Sequence, residues 1–131
     1  MENKPKLNYF TRTVPFELAK RLGEAGYNEP AKRYYTSSGR WATWITCLKI
    51  VCPAPTYGEV LDWLMQKGIF IQLEPWFTFA LYQNYSFCYT VHMRDAENHR
   101  FNVIAQEKNE CASFGLALEE AIYKSLEALN L

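Results

Sequence analysis

The chain has 131 residues, of which 49% are hydrophobic and 16% are aromatic, and its 14 lysines and arginines balance 14 aspartates and glutamates. A chain of this length buries roughly two-thirds of its unfolded surface, and the hydrophobic content excludes a disordered protein. Proteins held to nucleic-acid phosphates or to anionic lipid usually carry a basic surplus, which this composition lacks.

The first 12 residues are polar and charged, and they predict a flexible arm ahead of a single domain at 13–131. The amino-terminal sequence has neither the apolar core nor the cleavage site of a signal peptide. No apolar run approaches the ~20 residues that span a bilayer. We therefore expect a cytoplasmic protein with no membrane partner. Its cysteines are expected to be reduced thiols packed as small hydrophobic side chains: Cys47, Cys52, Cys88 and Cys111.

A first helix is predicted to begin near Pro15, because proline suits the opening turn, and to end at Gly26, which tolerates a left-handed conformation. Helical spacing places four apolar residues on one stripe: Leu18, Ala19, Leu22 and Ala25.

The segment after this helix is ambiguous. Residues 33–36 predict a short strand, 37–39 a turn, and 40–51 a return strand or pair of strands. A helix competes for the return segment, because four of its apolar residues have helical spacing: Trp41, Trp44, Ile45 and Leu48. Thr43 and Thr46 favour the strand.

A second helix is predicted by the capping box of Thr56 and Glu59, in which each side chain accepts a hydrogen bond from the other's backbone N–H. Trp63 is expected at the margin of the buried stripe, and Gly68 at the end of the helix. The buried stripe itself is predicted to contain Val60, Leu61, Leu64 and Met65.

Residues 69–107 alternate between apolar and mixed side chains, which predicts antiparallel strands with a turn at 95–99. Val91 and Phe101 are expected beneath helices, whereas His92 and Asn102 are expected to face outward. The full apolar series is Ile69, Ile71, Leu73, Phe77, Phe79, Leu81, Phe87, Tyr89, Val91, Met93, Phe101, Val103 and Ala105.

A third helix is predicted from about Ser113, with one apolar face formed by Phe114, Leu118, Ala121, Ile122, Leu126 and Leu129. Local hairpins favour antiparallel pairing, and the helices can cover the apolar face of the sheet together. We therefore predict an α+β fold, a two-layer domain with an antiparallel sheet of about four to five strands and helices packed on one face.

Four segments, read in order, carry a family resemblance: PFELAKRL at 15–22, AGY at 25–27, APTYGEVLDWL at 54–64 and LEEAI at 118–122. The chain resembles uncharacterised small proteins of gut bacteria and their phages. Members usually carry an acidic, turn-rich sequence between the first two helices, where this chain has the apolar, tryptophan-bearing segment 40–52. The resemblance implies a mobile-element context with small accessory and regulatory binding proteins, and it implies no activity or cofactor.

The two histidines, His92 and His99, are the first candidates for catalysis. His92 with Asp95 or Glu97 is a candidate acid–base pair at the edge of a hairpin, and His99 is expected in the solvated turn. A Cys88–His92 nucleophile pair is excluded, because four residues along a strand span about 13 Å. We predict no catalytic residue.

The sequence also has no motif that indicates a metal or cofactor site. Cys47 and Cys52 are five positions apart, and the chain has no Cys-x-x-Cys motif or paired histidines to complete a zinc site. The six glycines are dispersed, so no phosphate-binding loop is formed. We predict no metal and no cofactor.

The surplus of aromatic side chains predicts an interaction surface comprising Trp41, Trp44, Phe70, Trp76, Tyr82 and Tyr85. The preferred hypothesis is a non-enzymatic interaction module that contacts a protein partner, including a second copy in a homodimer. A nucleic-acid-associated regulator of a mobile element is the alternative, because aromatic side chains also stack on bases. A small enzyme that uses His92 with Asp95 or Glu97 ranks third, and packing of these aromatics within the chain itself is the non-functional explanation.

Overall fold

A computed structural model describes residues 9–42, 50–77, 85–111 and 113–129. These contain the 3-10 turn Tyr9–Thr11 and the helices α1 (Phe16–Glu24), α2 (Tyr57–Gln66) and α3 (Phe114–Leu129). The strands are β1 (Tyr34–Thr36), β2 (Trp41–Ala42), β3 (Ile50–Pro53), β4 (Ile69–Phe77), β5 (Tyr85–Asp95) and β6 (Arg100–Cys111).

The chain divides into two compact units, Met1–Val60 and Leu61–Leu131. Within the described residues each unit has a three-stranded antiparallel sheet, ordered β2-β1-β3 and β4-β5-β6. The α+β class is therefore confirmed, with three strands in a sheet rather than four to five. The flexible arm at 1–12 and the single domain at 13–131 stay predictions.

The sheet of the first unit is built around β1. Tyr35 pairs with Trp41 on one side and with Cys52 on the other. The turn between β1 and β2 contains Gly39 at φ +81°, a conformation that few other residues adopt. This confirms the strand and turn predicted at 33–39, and β2 excludes a helix at Trp41–Ala42. Residues 43–49 lie outside the described part of the chain.

Helix α1 begins after Pro15 and is followed by Gly26 at φ +99°, as its sequence predicts. Its buried stripe contains Leu18, Ala19 and Leu22 and packs against β3. At Gly23 an added Cβ would lie 3.8 Å from the Cβ of Cys52, an ordinary contact distance, so this position needs no glycine.

The capping box at the start of α2 is confirmed. The Thr56 N–H donates to Glu59 Oε1 at 2.9 Å, and the Glu59 N–H donates to Thr56 Oγ1 at 3.2 Å. The Tyr57 N–H also donates to the carbonyl of Arg12 at 2.9 Å. These bonds satisfy backbone donors that the first helical turn leaves unpaired.

The buried face of α2 differs from the predicted one. Trp63, expected at the margin, is buried, and Met65, expected in the stripe, is 44% exposed. Tyr57, at the start of the helix, is buried as well. The buried face therefore runs through Tyr57, Val60, Trp63 and Leu64, rotated away from Met65.

Replacing Thr56 tests the capping box. Thr56→Ala is expected to lower the free energy of unfolding by about 1 kcal/mol, because it leaves the Glu59 N–H without its side-chain acceptor. Thr56→Ser keeps the hydroxyl and should recover most of that loss. Urea denaturation measures both, with the exposed turn residue Ser37→Ala as the control. An equal loss for Ser37→Ala would contradict the capping role.

The sheet of the second unit is covered on one face by α3, which packs against β4, β5 and β6. Buried side chains meet there: Ile69, Tyr89, Val91, Leu118, Ile122 and Leu126. Ser113 Oγ accepts from the Leu116 N–H at 3.2 Å, which confirms the predicted start of α3. The buried hydroxyl of Ser125 donates to the Ala121 carbonyl at 2.8 Å, so this buried polar group is paired.

A β-bulge interrupts β6. Val91 pairs with Ala105, but the next residue, His92, pairs with Val103, so Ile104 is an extra residue on β6. Side chains alternate between the two faces of a strand, and an extra residue exchanges the faces on one side of it. The bulge therefore breaks the simple alternation expected across 101–105.

The positions expected for Phe101 and Val103 are wrong for this reason. Phe101 and Val103 were expected beneath the helices, yet their side chains are 52% and 55% exposed. Asn102 is exposed, as expected, but it pairs with Met93 and so lies on the opposite face of the sheet from His92. The positions of Val91 and His92 are confirmed.

The β5–β6 hairpin turns at 96–99, as expected, and His99 adopts a positive φ of 53°. Residues 78–84, which include the predicted strand positions Phe79 and Leu81, lie outside the described residues. In the part of the chain that the structure describes, no helix combines the length and the apolar character needed to cross a membrane.

Candidate interaction surface

The face of the β4–β5–β6 sheet that α3 does not cover is called the open face. Strand register assigns its members, because directly paired residues share a face. It contains Phe70, Gln72, Glu74, Cys88, Thr90, His92, Arg94, Phe101, Val103 and Gln106. This surface combines polar side chains with aromatic and aliphatic ones.

An apolar cluster lies at the hairpin end of this sheet, formed by Phe70, Phe101 and Val103, and the bulge residue Ile104 follows Val103 along β6. The rings of Phe70 and Phe101 meet edge to face, with centroids 5.1 Å apart and an interplanar angle of 89°. Phe101 and Val103 are more than half exposed, and Ile104 is 37% exposed. Neighbouring apolar side chains left open to water in this way are typical of an interaction site.

A polar ladder lies beside the cluster. Gln72 Nε2 donates to Glu74 Oε1 at 2.6 Å, and Gln72 Oε1 lies 3.2 Å from His92 Nε2. The amide nitrogen of Gln72 donates to Glu74, so the amide oxygen is the atom that faces the imidazole. The amide therefore separates the imidazole from the carboxylate.

The predicted acid–base pair is not formed by His92 and Asp95. The two residues are three positions apart on β5 and so lie on opposite faces. Asn98 donates to Asp95 from its side chain at 2.7 Å and from its backbone at 3.3 Å. These hydrogen bonds hold the pKa of the Asp95 carboxyl below its usual value. Glu97 is exposed in the turn.

The cysteines provide no reactive centre in the described residues. Cys52 is buried, and burial raises the pKa of its thiol, while Lys20 lowers it by a smaller amount. Cys88 is a half-buried thiol whose Sγ lies 3.5 Å from the carbonyl oxygen of Glu74. No group of three or more histidine, cysteine, aspartate or glutamate side chains within the described residues is placed to hold a metal ion. Cys47 and the side chain of Cys111 lie outside the description.

Of the six residues predicted for the interaction surface, Phe70 is placed in the apolar cluster. The backbones of Trp41, Trp76 and Tyr85 lie in β2, β4 and β5. Their side chains, together with the whole of Trp44 and Tyr82, lie outside the described part of the chain.

Phe101, Val103 and Ile104 are surface residues that the sequence analysis missed. The signal that could have found them is the consecutive apolar run Val103-Ile104-Ala105, since strict alternation admits no such run. A run of this kind inside a strand indicates either burial on both faces or an inserted residue. The structure has the inserted residue.

A groove of about 640 Å³ opens between β6 and the end of α3. Its lining includes Tyr89, Met93, Ile104 and Glu107, and the ion pair of Lys124 and Glu127, at 3.8 Å, also belongs to it. Both members of that pair are substantially exposed. The groove therefore has a mixed lining without an acid–base pair.

Comparisons of the chain with protein-family models, with curated proteins and with solved structures find no match.

Proposed function

We propose that the chain is a non-enzymatic interaction module that contacts a protein partner, including a second copy of itself, through the apolar cluster. The observation that carries this proposal is the exposure of Phe101 and Val103 beside the Phe70 ring. Aromatic and aliphatic side chains of this kind supply most of the binding energy at the centres of protein interfaces.

The charges of the open face favour a protein over a nucleic acid. Among its described residues Arg94 is the sole lysine or arginine, and Glu74 offsets it. Nucleic-acid binding draws most of its affinity from several phosphate contacts to cations, and each contact makes the affinity fall with salt. An uncharged apolar cluster beside neutral polar groups suits a protein surface better.

The side-chain contacts of the open face favour binding over catalysis. The imidazole of His92 is held by the Gln72 amide, and Asp95 lies on the other face of β5. The ladder of Glu74, Gln72 and His92 fixes these polar groups in place, which suits the rim of an interface.

Concentration-dependent association tests the proposal with the chain alone. Phe101→Ser and Val103→Ser are each expected to weaken self-association by about 10-fold, because each removes an apolar contact from the centre of the surface. Sedimentation velocity across a wide concentration range measures the effect.

Leu116→Ser is the matched control, because Leu116 on α3 is 55% exposed, the same fraction as Val103. It should leave association unchanged. A chain that stays monomeric at the highest soluble concentration, or an equal effect of Leu116→Ser, would contradict the proposal of a self-association surface.

A further inference from the structure

Among the described strands, β6 lies at the edge of its sheet. β6 spans Arg100–Cys111 and pairs with β5 on one side. In the described part of the chain no strand pairs with its other side, and residues 100–104 are exposed. Such an edge presents unpaired N–H and C=O groups that accept another strand.

The bulge determines which strand alignments this edge accepts. Before the bulge, Phe101 and Val103 lie on the open face. After it, Gln106 lies on the open face, whereas Ala105 and Glu107 lie on the face covered by α3. A pairing strand must oppose residues of like face on both sides of the bulge, since opposed side chains point the same way.

We propose that the partner is a second copy of this chain, joined by antiparallel pairing of the two β6 strands about a twofold axis between Val103 and Ile104. This inference rests on the proposed function and specifies the partner and its register. The axis opposes Arg100 to Glu107, Phe101 to Gln106, Asn102 to Ala105, and Val103 to Ile104. Residues of like face are opposed on both sides of the bulge.

Other registers fit less well. A shift of one residue opposes side chains of unlike face, for example Phe101 to Ala105. An axis one position closer to the amino terminus shifts the register by two residues. It opposes Asn102 to Val103, whose side chains lie on different faces of the sheet. Moving the axis one position toward the carboxyl terminus keeps like faces together only on the flanks of the bulge, and it opposes Glu107 to Asn102, so no unlike charges are opposed. The proposed register alone among these combines matching faces with opposed charges.

The charges of this register are available for pairing. The Arg100 side chain is 66% exposed, and its Nε lies 4.0 Å from Asp95 Oδ2, the limit of an ion-pair contact. No ion pair joins Glu107 to another described residue. The twofold axis forms the Arg100–Glu107 pair twice, and opposed unlike charges across strands favour pairing.

The same axis brings the second copy into contact with the exposed apolar residues of β6. It places Val103 of one copy opposite Ile104 of the other, so exposed apolar residues of the two copies meet at the centre of the interface. Burial of apolar surface at the centre with charges at the rim is the usual arrangement of protein interfaces.

Charge reversal with complementary mixing tests this register. In a pair of Arg100→Glu chains, a glutamate faces a glutamate at both places where positions 100 and 107 meet. In a pair of Glu107→Arg chains, an arginine faces an arginine at both places. Each variant alone is expected to associate about 10-fold more weakly than the unaltered chain. An equimolar mixture of the two variants places unlike charges opposite each other again, so it should recover association.

Donor- and acceptor-labelled proteins report the mixed pair by fluorescence energy transfer, and circular dichroism checks that each variant is folded. Arg40→Glu is the control, because Arg40 is exposed in the turn before β2, and it should leave association unchanged. The double variant R100E/E107R should associate like the unaltered chain.

The outcomes separate this inference from the proposed function. Weak association of both variants without recovery on mixing would overturn the register while leaving the apolar cluster as the contact. If both charge variants associate like the unaltered chain while Phe101→Ser associates more weakly, the pairing of β6 strands is overturned. The proposed function is then kept. A monomeric unaltered chain would overturn both.

Discussion

Leu118→Ala is expected to lower the free energy of unfolding by about 2–5 kcal/mol, the largest loss from removing apolar atoms that we expect in α3. Leu118 is fully buried where α3 packs on the sheet of the second unit. The substitution removes apolar contacts and leaves a cavity among well-packed neighbours, and both effects destabilise the folded state. Guanidinium denaturation followed by circular dichroism measures the change.

Leu116→Ala is the matched control, because it makes the same substitution two residues earlier on the exposed side of α3. It should change the free energy of unfolding by no more than about 0.5 kcal/mol. Equal losses from the two variants would mean that α3 does not present its Leu118 face to the sheet.

Val91→Asp is expected to cost about 4 kcal/mol or more and to leave much of the protein unfolded. Val91 is fully buried in the centre of β5, where a carboxylate would lose its hydration. Val103→Asp should cost less than about 1 kcal/mol, because Val103 is on the open face and 55% exposed. Thermal unfolding monitored by circular dichroism compares the two variants.

This comparison is diagnostic of the bulge. Unbroken alternation along β6 would place Val103 beneath α3 with Val91, and the two aspartate variants would then be similarly destabilised. With the bulge, Val103→Asp folds but associates weakly, because it places a charge in the apolar cluster. A severe folding defect in Val103→Asp would show that the β6 register is wrong.

Features encoded by short spacings were predicted from the sequence. The capping box needs only Thr56 and Glu59 three residues apart, and its hydrogen bonds form as predicted. Gly26 and Gly68 end their helices in positive-φ conformations for an equally local reason. The buried faces of α1 and α3 follow from helical periodicity, because each helix packs on one side only.

Features that depend on distant partners were predicted less well. Ile104 is an extra residue only relative to β5, so the bulge is defined by the pairing of two strands. The rotation of α2 that buries Trp63 and exposes Met65 depends on what surrounds the helix. Of the candidate surface, the sequence predicted Phe70. It did not predict Phe101 and Val103, because the bulge in β6 is what turns these side chains to the open face.

The bulge also has a consequence for colloidal behaviour. A regular strand laid along β6 can match side-chain orientation on only one flank of Ile104, because the insertion offsets the two flanks by one position. Unrelated extended segments therefore gain little from docking there, despite the accessible main chain. The irregularity discourages fibril-like growth from an edge that would otherwise invite it.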